Sequence, residues 1–244
     1  MPYIERITRA GVAIFVDRYH SPRYPGKHSE RGKKIADTKQ AQELVNARKT
    51  YREVAAMIDA SFSPGDFHIV LTYEYGKRPA TPELAQKDLR EWMNELRKQA
   101  KKAGIVIKYV TGTEIGSHGG LHHHVIINKI SRDWICDLWP HGQVRFGRSL
   151  DDTGEWSKLA SYIVKCKTQW KKNGCKGRAW SSSRNLTRPE PEITIISNRQ
   201  TYRKEPRPKK GYYIDKQKTR QGTHEVTGYP YLSYVMVKDQ WEGG

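Results

Sequence analysis

The sequence predicts an α+β protein built on an antiparallel sheet with helices against one face. Three observations predict it. Runs of branched and aromatic residues alternate with helical stretches between Phe67 and Gln169, in the order strand, helix, strand, strand, helix, strand, helix. Two of those strands, Ile105 to Glu114 and Leu121 to Asn128, are joined by a connection with three glycines, which suits a hairpin. The helical stretches carry apolar residues at three- and four-residue spacing, one stripe each.

Taken in order, the run Val12 to Val16 predicts a first strand, and a loop with Pro22, Pro25, Gly26 and Gly32 follows. Asp37 to Ala60 reads as a helix: Leu44, Ala47, Tyr51, Val54, Ala55 and Ile58 share a face, and Asp37 can cap the start. Ser63-Pro64-Gly65-Asp66 is a turn. Residues 1–65 are therefore read as an N-terminal extension, 66–190 as the core domain and 191–244 as a basic C-terminal extension packing on that core. In the core, Phe67 to Tyr73 is an apolar strand. Thr81 caps a helix with Pro82 in its first turn, a stripe of Leu84, Leu89, Trp92, Met93 and Leu96, and Gly104 as its stop. The hairpin strands come next, then a short helix from Ser131 to Leu138, a short strand from Gln143 to Phe146 and a helix from Asp152 to Gln169. This is the order of a ferredoxin-like or RRM-like sheet. Tyr229 to Val237 can add a last strand.

Composition narrows the function. Of 244 residues, 44 are Lys or Arg and 26 Asp or Glu, a net charge of +18 that points to nucleic acid rather than to a membrane. No apolar run approaches the roughly 20 residues of a membrane span, and Met1 to Arg6 lacks the order of a signal peptide. Cys136, Cys166 and Cys175 form no CxxC pair and read as reduced cysteines of a cytoplasmic protein. There is no GxxxxGK[ST] loop, which argues against ATP hydrolysis by that route.

The chemistry gathers on Gly119 to Asn128. Strand alternation puts His122, His124, Ile126 and Asn128 on one face and His123, Val125 and Ile127 on the other. Two imidazoles two residues apart on one face can reach a single divalent cation. If Glu114 pairs across from His122, Gly112 lies across from His124, and the Glu114 carboxylate joins the histidine face with room beside it. Two histidines and one carboxylate leave coordination positions open, as a catalytic metal requires. His118, in the loop, is a competing ligand. A solvated polar strand end is the bland alternative.

Downstream, Lys165 to Arg188 contains eight basic residues and no acidic one. Trp170, Trp180 and Asn185 lie among them. Basic groups for phosphates with aromatics for stacking bases make a single-strand binding surface, and Lys167, Lys171, Arg178, Trp180, Arg184 and Arg188 are its candidate DNA-binding residues. Arg199 to Arg220 is again basic, with Tyr202, Tyr212 and Tyr213. On the preceding helix, Tyr162 and Lys165 stand at i and i+3 and share a face. A lysine charge favours the phenolate, the nucleophilic form of tyrosine, and a metal can stabilise the charge of a phosphodiester transition state.

In this order of motifs the sequence resembles the rolling-circle replication initiators, the Rep proteins of the HUH endonuclease superfamily. The resemblance rests on the strand Phe67 to Tyr73, the strand His122 to Asn128 and the Tyr162-x-x-Lys165 helix, with Ser183 to Leu186 as a further likeness, and covers about Asp66 to Pro189. His123 departs from the bulky apolar residue usual there. One tyrosine on the helix points to the single-tyrosine class. The resemblance implies the HUH endonuclease fold and a metal-dependent nickase of plasmid or phage DNA replication. Mg²⁺ or Mn²⁺ would be held by Glu114, His122 and His124. Tyr162 would become joined to the 5′ phosphate of single-stranded origin DNA and leave a 3′-hydroxyl primer, with Lys165 assisting. It further implies a separate helicase and a host DNA polymerase as partners, in a bacterial cytoplasm. The rival readings are a non-catalytic RRM-like single-strand binding module and an HUH transposase or relaxase.

Overall fold

The computed structural model describes residues 2–21, 38–116, 119–147, 150–197 and 205–239. In chain order the elements are β1 (Tyr3–Ala10), β2 (Ala13–His20), α1 (Thr38–Ser61), β3 (Phe67–Thr72), α2 (Pro82–Lys102), β4 (Tyr109–Ile115), β5 (Leu121–Ile127), α3 (Arg132–Asp137), β6 (Val144–Phe146), α4 (Ser157–Lys172), β7 (Trp180–Ser182), β8 (Glu192–Ser197), β9 (Tyr212–Ile214), β10 (Arg220–Thr223) and β11 (Pro230–Lys238). The predicted loop residues Pro22, Pro25, Gly26 and Gly32, the predicted cap Asp37, and His118 and Tyr202 lie outside the described residues. The chain divides into two compact units, Ser61–Thr187 and a second one made of Met1–Ala60 with Arg188–Gly244. Among the described residues no helix is long and apolar enough to cross a membrane.

The unit Ser61–Thr187 holds a five-stranded antiparallel sheet in the order β6-β3-β5-β4-β7. Its first four strands have the ferredoxin-like order, consistent with the predicted α+β, HUH-type fold. Alternation decides which side is core. In β3, Phe67, Ile69 and Leu71 are buried while His68, Val70 and Thr72 are half-buried. The buried set joins Val125, Ile127 and Tyr109 under α2, whose Ala85, Leu89, Trp92, Met93, Leu96 and Ala100 form the facing stripe. Burial of a side chain the size of Leu or Met contributes about 1.5–3 kcal/mol.

Helix α2 starts where the sequence says. Thr81 Oγ1 accepts the Leu84 N–H at 3.3 Å, Pro82 opens the helix, and Gly104 leaves it at φ +71°. The Trp92 indole donates to the Ile135 carbonyl at 3.2 Å, which ties α3 to the same face.

Helix α4 corrects the expectation of helices on one face. It packs on the opposite side of the sheet, because its buried residues Ile163 and Cys166 meet Gly112, whose neighbours on that face are Glu114 and His124. It also begins at Ser157, not Asp152. Gly154 takes a left-handed conformation (φ +63°), and Asp151 Oδ1 accepts both the Thr153 N–H and the Trp156 indole N–H at 3.2 Å, winding residues 151–156 into a turn.

The stretches read from sequence as two extensions share one sheet. The second unit orders its strands β10-β11-β2-β1-β8, with β9 also paired to β11. A two-residue turn with Gly11 at φ +56° joins β1 to β2. Ile14, Val16, Leu232, Tyr234 and Met236 form an apolar cluster. Helix α1 is tied to this sheet by Arg52, which pairs with Asp17 at 3.2 Å, and by Arg48, which pairs with Glu225.

Candidate metal centre and tyrosine

The register of the hairpin is the one that collects ligands. Glu114 pairs with His122 and Gly112 with His124. Glu114, His122, His124 and His68 of β3 therefore share a face. The strand connection is closed by Gly116 N–H donating to Gly120 O at 2.7 Å.

On that face Glu114 Oε2 stands 2.9 Å from His124 Nε2 and 3.3 Å from His122 Nε2. One ligand atom from each of the three residues lies within 4.8 Å of the others. Two imidazoles and a carboxylate converging in this way can hold a divalent metal ion and leave positions open for other ligands. The electrostatics suit ligation. Burial raises the Glu114 pKa, but Lys165, His124 and His122 outweigh it, and the carboxyl is held below its ordinary value. Burial lowers the His124 pKa against a smaller opposing pull from Glu114. Both groups then present lone pairs near neutral pH.

Helix α4 delivers two more groups. The Tyr162 ring stacks on His124 with centroids 4.7 Å apart and planes inclined by 21°. Tyr162 remains 39% exposed, so its side chain is partly open to solvent. Lys165 reaches Glu114 Oε1 at 2.5 Å. The helix can approach this closely because residue 112 is glycine: a Cβ there would stand 3.0 Å from both Cys166 Sγ and Ile163 Cδ1. The space that the sequence assigned to the carboxylate is thus filled by the helix.

Residues 66–167 match the family of replication-associated protein ORF2/G2P. The matched segment contains the Glu114, His122 and His124 cluster together with Tyr162 and Lys165. No curated protein matches the chain.

His123 points the other way. It is fully buried, with Nε2 2.9 Å from the Tyr73 hydroxyl and Nδ1 3.0 Å from Thr113 Oγ1. Burial, and next to it the neighbouring histidines, push its pKa down to about 3. Of the candidate DNA-binding residues, Lys167, Lys171, Arg178, Arg184 and Arg188 are exposed, and Trp180 is half-buried in β7 across from Gly112. Trp170 does not belong to that surface: it is buried with Cys166 and Ala179, and its indole donates to the Lys176 carbonyl at 3.0 Å.

Sequence reading missed His68. Its ring is stacked 5.6 Å from Tyr162, and its Nε2 lies 3.3 Å from His124 Nδ1. Burial, then His124, lowers its pKa to about 4. The signal was present: a lone imidazole stands in the apolar alternation of the strand that pairs with the histidine strand.

Proposed function

We propose that this protein nicks single-stranded DNA at a replication origin by transesterification and so primes rolling-circle replication, as an HUH endonuclease of the single-tyrosine class. The observation that carries the reading is the stacking of Tyr162 on His124, which brings an accessible phenol to a convergent His-His-Glu cluster. The match to a replication-associated family supports the DNA substrate.

Glu114, His122 and His124 would hold the cofactor, Mg²⁺ or Mn²⁺, which supplies polarisation of the scissile phosphate and stabilisation of transition-state charge. Tyr162 Oη attacks the phosphorus, the bond from phosphorus to the 3′ oxygen breaks, and the phenolic proton passes through solvent to that oxygen. The products are a 5′-phosphotyrosine and a 3′-hydroxyl, and attack by a 3′-hydroxyl reverses the step. Lys165, held by Glu114, adds positive charge beside the phosphate. Lys167, Lys171, Arg178, Trp180, Arg184 and Arg188 bind the strand. Unwinding and synthesis fall to a separate helicase and a host polymerase in a bacterial cytoplasm.

The test is incubation with Mn²⁺ and a library of single-stranded oligonucleotides, read on a denaturing gel. A covalent adduct lost on chelation is the expected result. Binding without any adduct would instead identify a non-catalytic single-strand binding module.

A further inference from the structure

Beyond the groups assigned so far, one half-buried contact joins the two halves of the site. We propose that His68 is a positioning residue that aligns His124 through a ring-nitrogen hydrogen bond and seats the Tyr162 ring by stacking. The proposal rests on the reading of the metal cluster and of Tyr162 given above.

His124 faces Glu114 through Nε2, at 2.9 Å. Ligation through Nε2 needs the ring proton on Nδ1, and His68 Nε2 lies 3.3 Å from that atom as its acceptor. The two imidazoles are nearly parallel, inclined by 11°, with centroids 5.5 Å apart. Tyr162 lies over both, 4.7 Å from His124 and 5.6 Å from His68. One side chain of β3 thus touches a ligand of β5 and the tyrosine of α4.

The place of the His68 ring is itself kept open. Gly147 follows β6, and its N–H donates to the His68 carbonyl at 2.8 Å. A Cβ at 147 would stand 3.0 Å from His68 Nδ1 and 3.0 Å from that backbone oxygen. A larger residue at 147 would press on both the ring and the backbone of His68, and one of them would have to give by a few tenths of an ångström.

Two substitutions separate the two contacts. His68→Phe keeps an aromatic ring for Tyr162 and loses the acceptor for His124. His68→Gln keeps an acceptor and loses the ring. Mn²⁺ affinity is measured by calorimetry on the full chain without DNA, and the adduct rate is measured at saturating Mn²⁺. For the Phe variant, Mn²⁺ affinity should fall about 10–100-fold, the usual effect of removing a partner behind a metal-bound histidine, with the saturated adduct rate retained. The Gln variant should hold Mn²⁺ affinity, and its saturated rate should fall by about tenfold or more through misplacement of the nucleophile. Wild-type behaviour of both variants overturns the proposal, as does loss of both properties in parallel with thermal stability, the mark of a structural role. A wild-type protein that takes up no Mn²⁺ overturns the ligand set and this proposal together. One that binds Mn²⁺ but forms no adduct refutes the nucleophile alone, and the affinity of the Phe variant still decides the contact to His124.

Discussion

Gly112 of β4 and Cys166 of α4 face one another where the helix meets the sheet: a Cβ added at 112 would stand 3.0 Å from the Cys166 sulfur. Burial holds the Cys166 thiol up at about 12, so it stays protonated and acts as a small apolar group. This contact sets how near α4 comes to β4, and with it how near Tyr162 and Lys165 come to Glu114 and His124.

Gly112→Val should therefore lower both stability and nicking. Overpacking a tight contact costs about 1–3 kcal/mol, relieved by a shift of the Ile163 and Cys166 side chains or of α4 itself away from the histidine face. Thermal unfolding and adduct yield, measured on the same preparation, check this. A variant that keeps full activity would show that the site tolerates a displaced helix.

Removing ligands should separate the two faces of β5. His122→Ala or His124→Ala should abolish Mn²⁺ binding and nicking, and His123→Leu should leave Mn²⁺ binding in place. By strand alternation alone, the Leu substitution should retain most nicking. The structure adds a cost in stability, because Tyr73 Oη and Thr113 Oγ1 both hydrogen-bond the His123 ring in the core. Losing those partners should cost about 1–3 kcal/mol of stability. Urea unfolding with a Mn²⁺ titration reads both quantities, and loss of metal binding in the Leu variant would overturn the face assignment.

Affinity for single-stranded DNA should be steeply salt-dependent. Each phosphate neutralised contributes about 0.7 to the log–log slope for single strands. Replacing Arg178, Arg184 and Arg188 by Ala should lower that slope by about 2 if all three contact phosphate. Fluorescence anisotropy between low and physiological salt measures it, and an unchanged slope would route the strand elsewhere.

What the sequence made legible was local or periodic. The Thr81 cap, the Gly104 stop and the pairing of Glu114 with His122 each follow from a few adjacent residues, and each is present. What escaped reading depended on distant neighbours. Strand β1 interleaves Glu5, Arg6, Thr8 and Arg9 with its apolar positions, and only its pairing with β2 and β8 holds it as a strand. Arg220 to Thr223 has no buried face at all and is a strand through β11. Trp170 looks like a base-stacking residue in a basic run, yet it is three turns along the buried stripe of α4 from Ala160. His68 gains its meaning only when β3 lies against β5.

The identity of the nucleophile is the prediction on which the proposed chemistry turns. The competing tyrosines are removed by their surroundings. Tyr73 is buried, and its hydroxyl faces Asp88 at 3.1 Å and His123 at 2.9 Å on the core side of the sheet. Burial, and next to it Asp88, pushes its pKa up, which disfavours a phenolate. The Tyr109 hydroxyl accepts from Arg97 Nη2 at 2.6 Å, and its ring belongs to the core under α2. Tyr51 is half-buried in α1, on the helix stripe of Val54, Ala55 and Ile58. Tyr162 is exposed and lies on the ligand face. Tyr162→Phe keeps the ring that stacks on His124 and His68 and removes only the oxygen. Folding, Mn²⁺ affinity and DNA binding should stay near wild type, while the adduct band disappears. Peptide mapping of the wild-type adduct should place the nucleotide between Leu159 and Lys165. An adduct that survives in the Phe variant, or that maps to another tyrosine, would refute the assignment and leave the histidine face without its proposed partner.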